Sequence, residues 1–316
     1  MAMTSDEMIA FNASGGKRIS VAKYQNGNWI VSGKAYDYEI GSVSKTFVGL
    51  LAAKLVEERK IGLSDSISEY LDLDKRGYYP TIERLLTHTS GYKPFYFEPE
   101  MIVTRLSRKT SNDFYGISRE KILGRVKKVK LSDKDYKFEY SNFGIAVLGL
   151  VIEKVLNRDF TAIMNDFIKN ELQLKHTDVA IQKGNLGKYW KWKENDGYIP
   201  AGAIVSNIDD IRDYLDIYLA ESKEFAGKTH SDLKAVDANN HIYAKLNIRM
   251  DSVGMTWIHD DVNGFSWHNG GTSACSSYVA FSDDKKTAVA ILSNLSPKER
   301  IPVTVIGAKI MAELKG

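Results

Sequence analysis

The stretch that most constrains this 316-residue chain is 43–56, which reads Val-Ser-Lys-Thr-Phe-Val-Gly-Leu-Leu-Ala-Ala-Lys-Leu-Val. It is apolar on nearly every side at helical spacing, so it predicts a helix at the centre of a fold rather than on its surface. Lys45 is the only charge in its first turns. Ser42 stands at the N-cap or first-turn position, one turn before Lys45 and on the same face. An ammonium there meets the positive end of the helix dipole and is disfavoured by burial. Both effects push Lys45 toward the neutral amine, and a neutral amine beside a hydroxyl makes a nucleophile with its own base. The spacing alone is weak, since Ser14, Ser20, Ser90, Ser118, Ser231 and Ser282 also have a lysine three residues on. What singles out Ser42 is the apolar helix that follows it.

The composition is that of an ordinary globular chain, 43% hydrophobic and 26% charged, and the chain is long enough to bury a core without staples. A net charge of +3 is too small and too dispersed for nucleic acid. The densest basic run, Lys127-Lys128-Val129-Lys130, reads as a solvated face. The single cysteine, Cys275, leaves no internal disulfide and reads as a buried thiol among small residues. The longest apolar run, 143–152, is too short for a transmembrane segment. The start of the chain has no basic-then-apolar signal. The expectation is a cytosolic protein, or an exported one whose leader has been removed.

In chain order, 18–24 and 28–33 read as a β-hairpin turned by Asn26-Gly27. The buried helix is expected over 43–59. Short helices follow near 64–70 and 81–86, and the second ends at Thr87-His88-Thr89-Ser90-Gly91, with Gly91 as a stop. Residues 92–137 are aromatic and basic, with expected buried points at Met101, Ile102, Val103, Ile122 and Leu123. Helices are expected over 143–156 and 160–172, a Trp-, Lys- and Gly-rich loop over 184–197, and a helix capped at 207–210 and running to about 219. Strands are expected at 254–259, 264–268, 276–281 and 287–293, before a closing helix over 301–314. The fold class is therefore α+β: one antiparallel sheet drawn from both ends of the chain, flanked by the first and last helices. A mixed domain is expected from 1–70 and 198–316, with an inserted helical domain from 71–197 and a ligand cleft between them.

Three short motifs line up in order: Ser42-Val43-Ser44-Lys45, Tyr140-Ser141-Asn142 and His268-Asn269-Gly270. With Leu85-Leu86-Thr87-His88-Thr89-Ser90-Gly91 and Pro200-Ala201-Gly202 between them, the chain from about Arg18 onward resembles the serine β-lactamase and penicillin-binding-protein superfamily. The branch it most resembles is class C, with its D-aminopeptidase and esterase relatives. The resemblance implies the β-lactamase/transpeptidase-like fold, with the helical insertion outlined above. It implies that Ser42 is a nucleophile forming an acyl-enzyme, that Lys45 takes its proton, and that Tyr140 is the second acid/base group and serves the leaving group. Asn142 would hold the substrate amide. The N–H groups of Ser42 and Gly271 would form the oxyanion hole, and Gly270 and Gly271 would let a substrate lie against the strand.

His268 stands where lactamases and penicillin-binding enzymes usually carry lysine. A histidine is mostly neutral at pH 7, which weakens the case for binding a substrate carboxylate. The resemblance thus favours a D-amino-acid peptidase, a penicillin-binding-protein-like enzyme or an esterase-like hydrolase over a class C-like β-lactamase. A sensor module that is acylated without turnover is the reading from another class. No carboxylate is evident for activating the deacylating water. His88 is expected to be structural, fixing the turn at Thr89. His176, His230, His241 and His259 show no metal spacing, and no Gly-x-Ser-x-Gly elbow is present. The expected partner is a small-molecule or peptide substrate, D-amino-acid peptides included, with no metal, no cofactor and no nucleic acid. The oligomeric state is not legible.

Overall fold

The computed structural model describes residues 3–74, 77–179, 184–187, 189–231, 234–239 and 241–315. Its strands are β1 (Ile19–Gln25), β2 (Asn28–Ser32), β3 (Tyr38–Glu39), β4 (Asp178–Val179), β5 (Ile204–Ser206), β6 (Lys234–Ala235), β7 (Ser252–Val253), β8 (Ile258–Asp260), β9 (Phe265–Gly271), β10 (Ser276–Ser282) and β11 (Thr287–Ser293). Eight of them form one antiparallel sheet in the order β2-β1-β11-β10-β9-β8-β7-β6, and β3-β5-β4 form a small second sheet. The two ends of the chain meet inside the large sheet. There β1 pairs with β11, from Ile19 opposite Ser293 to Gln25 opposite Thr287.

The helices are α1 (Ser5–Ala13), α2 (Ser44–Glu57), α3 (Ile82–Leu86), α4 (Pro99–Ser107), α5 (Arg119–Lys128), α6 (Asn142–Leu156), α7 (Phe160–Asp166), α8 (Ile199–Gly202), α9 (Ile208–Leu219), α10 (Glu224–Ser231), α11 (His241–Lys245) and α12 (Val303–Lys315). Strand periodicity assigns the layers, because alternate side chains leave opposite faces of a sheet. Val21, Tyr278, Ala280, Val289 and Ile291 face α12 and the apolar side of α1. Ala22, Val279, Phe281, Ala288, Ala290 and Leu292 belong to the other, larger core, with α2 and α9. Ser5 Oγ donates to Glu313 Oε2 at 2.5 Å and ties α1 to α12. Between α2 and α9, the rings of Phe47 and Tyr214 stack 4.0 Å apart.

Helix α2 is buried along most of its length, as its all-round apolar sequence requires. Helix α6 is equally apolar and packs against α2, α3, α5 and α8. This packing brings the Tyr140-Ser141-Asn142 segment beside the start of α2.

Several local expectations change. Residues 254–259 are not one strand: the chain turns tightly between β7 and β8, with Thr256 at φ 73° and its N–H donating to Gly254 O at 2.8 Å. Helix α7 ends at Asp166 and continues as a π-helical turn over Phe167–Glu171. Met101 and Ile122 are buried, but Ile102 and Val103 are exposed on α4, and Leu123 is only half-buried. A surface helix turns only one stripe inward, and Met101 and Thr104 form that stripe. Among the described residues no helix is long and apolar enough to cross a membrane, and no group of His, Cys, Asp and Glu is arranged to hold a metal ion.

Candidate active site

Ser42 is positioned by a turn that only glycine permits. The chain leaves β3 at Ile40, whose N–H donates to Ile204 O at 3.1 Å. Gly41 then adopts φ 50°, and a Cβ there would lie 2.5 Å from Gly271 N. Ser42 falls within a 3-10 turn, Gly41–Val43, that feeds α2. The N-cap of α2 is Val43, with no side-chain capping bond. The Ser42 hydroxyl is therefore not used as a helix cap and is left to the site.

Lys45 is fully buried. Its Nζ lies 2.9 Å from Ser42 Oγ and donates to Ala201 O at 2.5 Å. Burial lowers its pKa to about 7, because the ammonium has lost its water. The neutral amine has two hydrogens and one lone pair. With one hydrogen on the Ala201 carbonyl, the lone pair can be turned to the serine proton.

Tyr140 closes the other side of Ser42. Lys45 Nζ lies 5.1 Å from the centre of its ring. The phenol oxygen is buried and has no hydrogen-bond partner among the described residues. Burial raises its pKa, and the nearby Ser42 hydroxyl opposes that rise. Two histidine rings flank it, His88 at 4.6 Å and His268 at 6.1 Å between ring centres. The Ser141 N–H donates to His88 Nδ1 at 3.1 Å, so neutral His88 carries its proton on Nε2. His268 Nδ1 lies 2.6 Å from Asn269 O, which requires the proton on Nδ1. Both remaining Nε2 atoms are buried and unpaired among the described residues. Burial, and then the charge of Lys45, lower both pKa values: His88 goes well below its usual range, and His268 goes to about 3. His88 has φ 55° and its carbonyl accepts the Glu139 N–H at 2.8 Å. It thus anchors the segment that carries Tyr140, a wider task than fixing the turn at Thr89.

His268 itself is fully buried on β9. Its ring forms the floor under Tyr140 rather than the surface a substrate would meet. Trp267, Asn269, Gly270 and Gly271 are the β9 residues that reach the cleft, and His268 is not among them. A Cβ on Gly270 would come within 2.0 Å of Ile40 O and 2.9 Å of Ser42 N, so β9 presses directly on the serine turn. The backbones of Ser42 and Gly271 are thereby neighbours. Asn142 is the first residue of α6. The preceding Ser141 caps that helix by accepting the Gly144 N–H at 2.8 Å.

Ser42 and Gly271 stand between two parts of one cleft. One part is lined by Asn142, Phe114, Trp190, Trp192 and Tyr198. The other is lined by Tyr140, Tyr243, Met250, Ile258, Trp267 and Pro297. Sequence reading missed the aromatic lining, although the tryptophans of the 184–197 loop were its signal. It also missed the Ala201 carbonyl, which lies in the Pro200-Ala201-Gly202 motif, and Glu39. The buried Glu39 carboxylate accepts the Trp190 N–H at 2.6 Å and the Thr272 hydroxyl at 2.7 Å. It fastens the tryptophan loop to the turn after β9.

An antiparallel sheet sandwiched by helices, with a serine and a buried lysine at the start of the central helix, defines a serine-hydrolase fold of the β-lactamase and penicillin-binding-protein type. The chain belongs to the β-lactamase family, whose family model matches residues 37–305. It is 25% identical over 291 residues to Protein flp of Staphylococcus aureus strain MW2, a match covering 85% of this chain and 54% of that protein. The chain thus spans about half the length of such curated relatives. Among solved structures, a β-lactamase/D-alanine carboxypeptidase from Yersinia pestis is similar at TM-score 0.76 and 16% identity, covering 98% of this chain and 96% of that one. A D-stereospecific amidohydrolase from Streptomyces sp. is similar at TM-score 0.72 and 18% identity, covering 96% and 97%. At these identities the likeness shows the fold.

Proposed function

We propose that the protein is a serine hydrolase that cleaves peptide, amide or ester bonds through an acyl-enzyme on Ser42. The observation that carries this reading is Lys45, a fully buried lysine whose amine lies 2.9 Å from Ser42 Oγ. Lys45 Nζ takes the serine proton as Oγ bonds to the substrate carbonyl carbon. The oxyanion that develops faces the N–H groups of Ser42 and Gly271. Collapse of the adduct breaks the C–N or C–O bond, and the departing amine or alcohol takes the proton, passed from Lys45 through the Tyr140 phenol. Water then attacks the acyl carbon and gives a proton to the same pair. Oγ departs with a proton, and the acid is released. Asn142 holds the acyl side of the substrate.

The D-peptidase, penicillin-binding-protein-like and esterase-like forms of this chemistry share these steps. A second reading has its own support: no carboxylate lines the cleft among the described residues, so water activation rests on Lys45 and Tyr140 alone. On that reading the protein is acylated and holds the acyl group. Mass spectrometry after exposure to an activated ester, a fluorophosphonate and a β-lactam tests both readings. Ser42→Ala should abolish labelling and reduce ester hydrolysis by on the order of 10⁴–10⁶ while leaving the fold intact. Activity surviving within about tenfold of wild type would remove Ser42 from the mechanism. Many product equivalents per protein would exclude the sensor.

A further inference from the structure

Among the described residues, no formally charged side chain lines the cleft: neither of its two parts includes Asp, Glu, Lys or Arg. Described charges next to its lining in sequence are committed or turned outward: Asp113 pairs with Arg105 at 2.9 Å, and Glu139, Lys193 and Lys298 are exposed. Arg249, next to Met250, is held by Asp251 at 2.6 and 2.9 Å. Lys191, between Trp190 and Trp192, has its side chain exposed. Glu39 lies behind the wall, engaged by Trp190 N–H and the Thr272 hydroxyl. His268, at the position where a cation would serve a substrate carboxylate, is buried beneath Tyr140. Apart from Lys45, which is buried behind Ser42 and neutral above about pH 7, a carboxylate entering this cleft would lose its water and gain no cation from the described lining, and an ammonium would gain no carboxylate.

The two parts also differ in size. The side with Asn142 is narrow, about 70 Å³, and walled by Phe114, Trp190, Trp192 and Tyr198. The side with Tyr140 is roomier, about 410 Å³, and mostly apolar. Asn142 serves the acyl side and Tyr140 the leaving group, so each part of the substrate has its own compartment.

We propose that the substrate is an uncharged ester or amide, with a small or planar acyl group in the aromatic compartment and a larger apolar leaving group beside Met250 and Trp267. This rests on the reading of Ser42 as the acylated nucleophile. The apolar walls supply binding through burial, and selectivity comes from refusing charge rather than from a matching ion. Substrates with a carboxylate on the leaving group, or with a free α-ammonium on the acyl group, are disfavoured by the same walls.

The test measures the rate of Ser42 acylation, by mass spectrometry, with four matched aryl esters. One is neutral, one has a carboxylate on the leaving group, one has a carboxylate on the acyl group, and one is the ester of a free D-amino acid. A fluorophosphonate control reports independently whether Ser42 is the nucleophile. The neutral ester should exceed each charged one by on the order of 10²-fold or more, the scale at which unpaired polar groups are rejected. Met250→Arg should raise acylation by the leaving-group carboxylate about tenfold, through a charge-assisted contact, and lower it for the neutral ester. A charged ester that matches the neutral one within about tenfold, or surpasses it, far short of the expected rejection, would overturn the uncharged-substrate proposal while Ser42 labelling stands. Loss of Ser42 labelling by every reagent would instead remove the nucleophile assignment.

Discussion

Lys45 Nζ and the carbonyl oxygen of Ala201 are 2.5 Å apart, and this contact orients the amine that faces Ser42. A carbonyl can only accept. It therefore claims one hydrogen of the amine and leaves the lone pair for the serine. Lys45→Arg should be nearly as damaging as Lys45→Ala, because a guanidinium does not give up its proton. The check is kcat/KM for an activated ester. Retention of most activity by the arginine variant would make Lys45 an electrostatic group.

The same burial sets a pH dependence for activity and for stability. Activity should rise as pH increases through about 7, where Lys45 becomes neutral. For stability, the folded pKa lies below the unfolded value of about 10.4. The unfolded chain then binds more protons between these values, so this contribution to stability is fully present above the unfolded pKa and is lost as pH falls toward about 7. Lys45→Met removes the group. Its melting temperature should exceed that of wild type at acidic pH, with the gap closing as pH rises. A gap independent of pH would show that Lys45 does not titrate in this window.

His268→Lys should destabilise the protein rather than create a carboxylate site. The imidazole is fully buried and feels the charge of Lys45. An uncompensated second ammonium there costs several kcal/mol and pushes the Lys45 pKa lower still. In wild type, His268 remains neutral down to about pH 3. Rate–pH profiles for matched charged and neutral substrates should therefore run parallel between about pH 5 and 8. Divergence near about pH 6.5, the ordinary histidine range, would show His268 titrating against substrate.

Gly270→Ala should reduce acylation by on the order of 10²–10³, the usual effect of losing one oxyanion donor. The new Cβ would meet Ile40 O at 2.0 Å, Ser277 Oγ at 2.5 Å and Ser42 N at 2.9 Å. Backbone cannot yield as a flexible side chain does, so the serine turn must shift away from β9. The rate of fluorophosphonate labelling measures this shift, and an unchanged rate would show that the turn tolerates it.

The parts of the fold legible in the sequence are those where one local signal dominates. All-round apolar runs marked α2 and α6, and Asn26-Gly27 marked the β1–β2 hairpin. The three short motifs fall at the start of α2, at the start of α6 and on β9, and the structure brings all three together. Side-chain direction was not legible. His268 could have faced either side of β9, and only the packing of β9 on the serine turn sends its ring beneath Tyr140. The exposure of Ile102 and Val103 depends on which stripe of α4 meets the core. The aromatic wall combines Phe114 and Tyr198 with the tryptophan loop, residues that no sequence periodicity links. Glu39 reads as an ordinary carboxylate until the turn after β9 folds over it.

The pairing of β1 with β11 has a kinetic meaning. Ser42 lies toward one end of the chain and Gly271 toward the other, so the proposed oxyanion pocket forms only after a loop of most of the chain has closed. The entropy of such a closure grows slowly with length, but contacts between such distant residues slow folding markedly. Catalytic competence should therefore emerge late in refolding, after the helices have gained most of their ellipticity. A collapsed intermediate with its helices formed but β1 and β11 unjoined would be inert, and its open strand edges would favour association with other copies of itself.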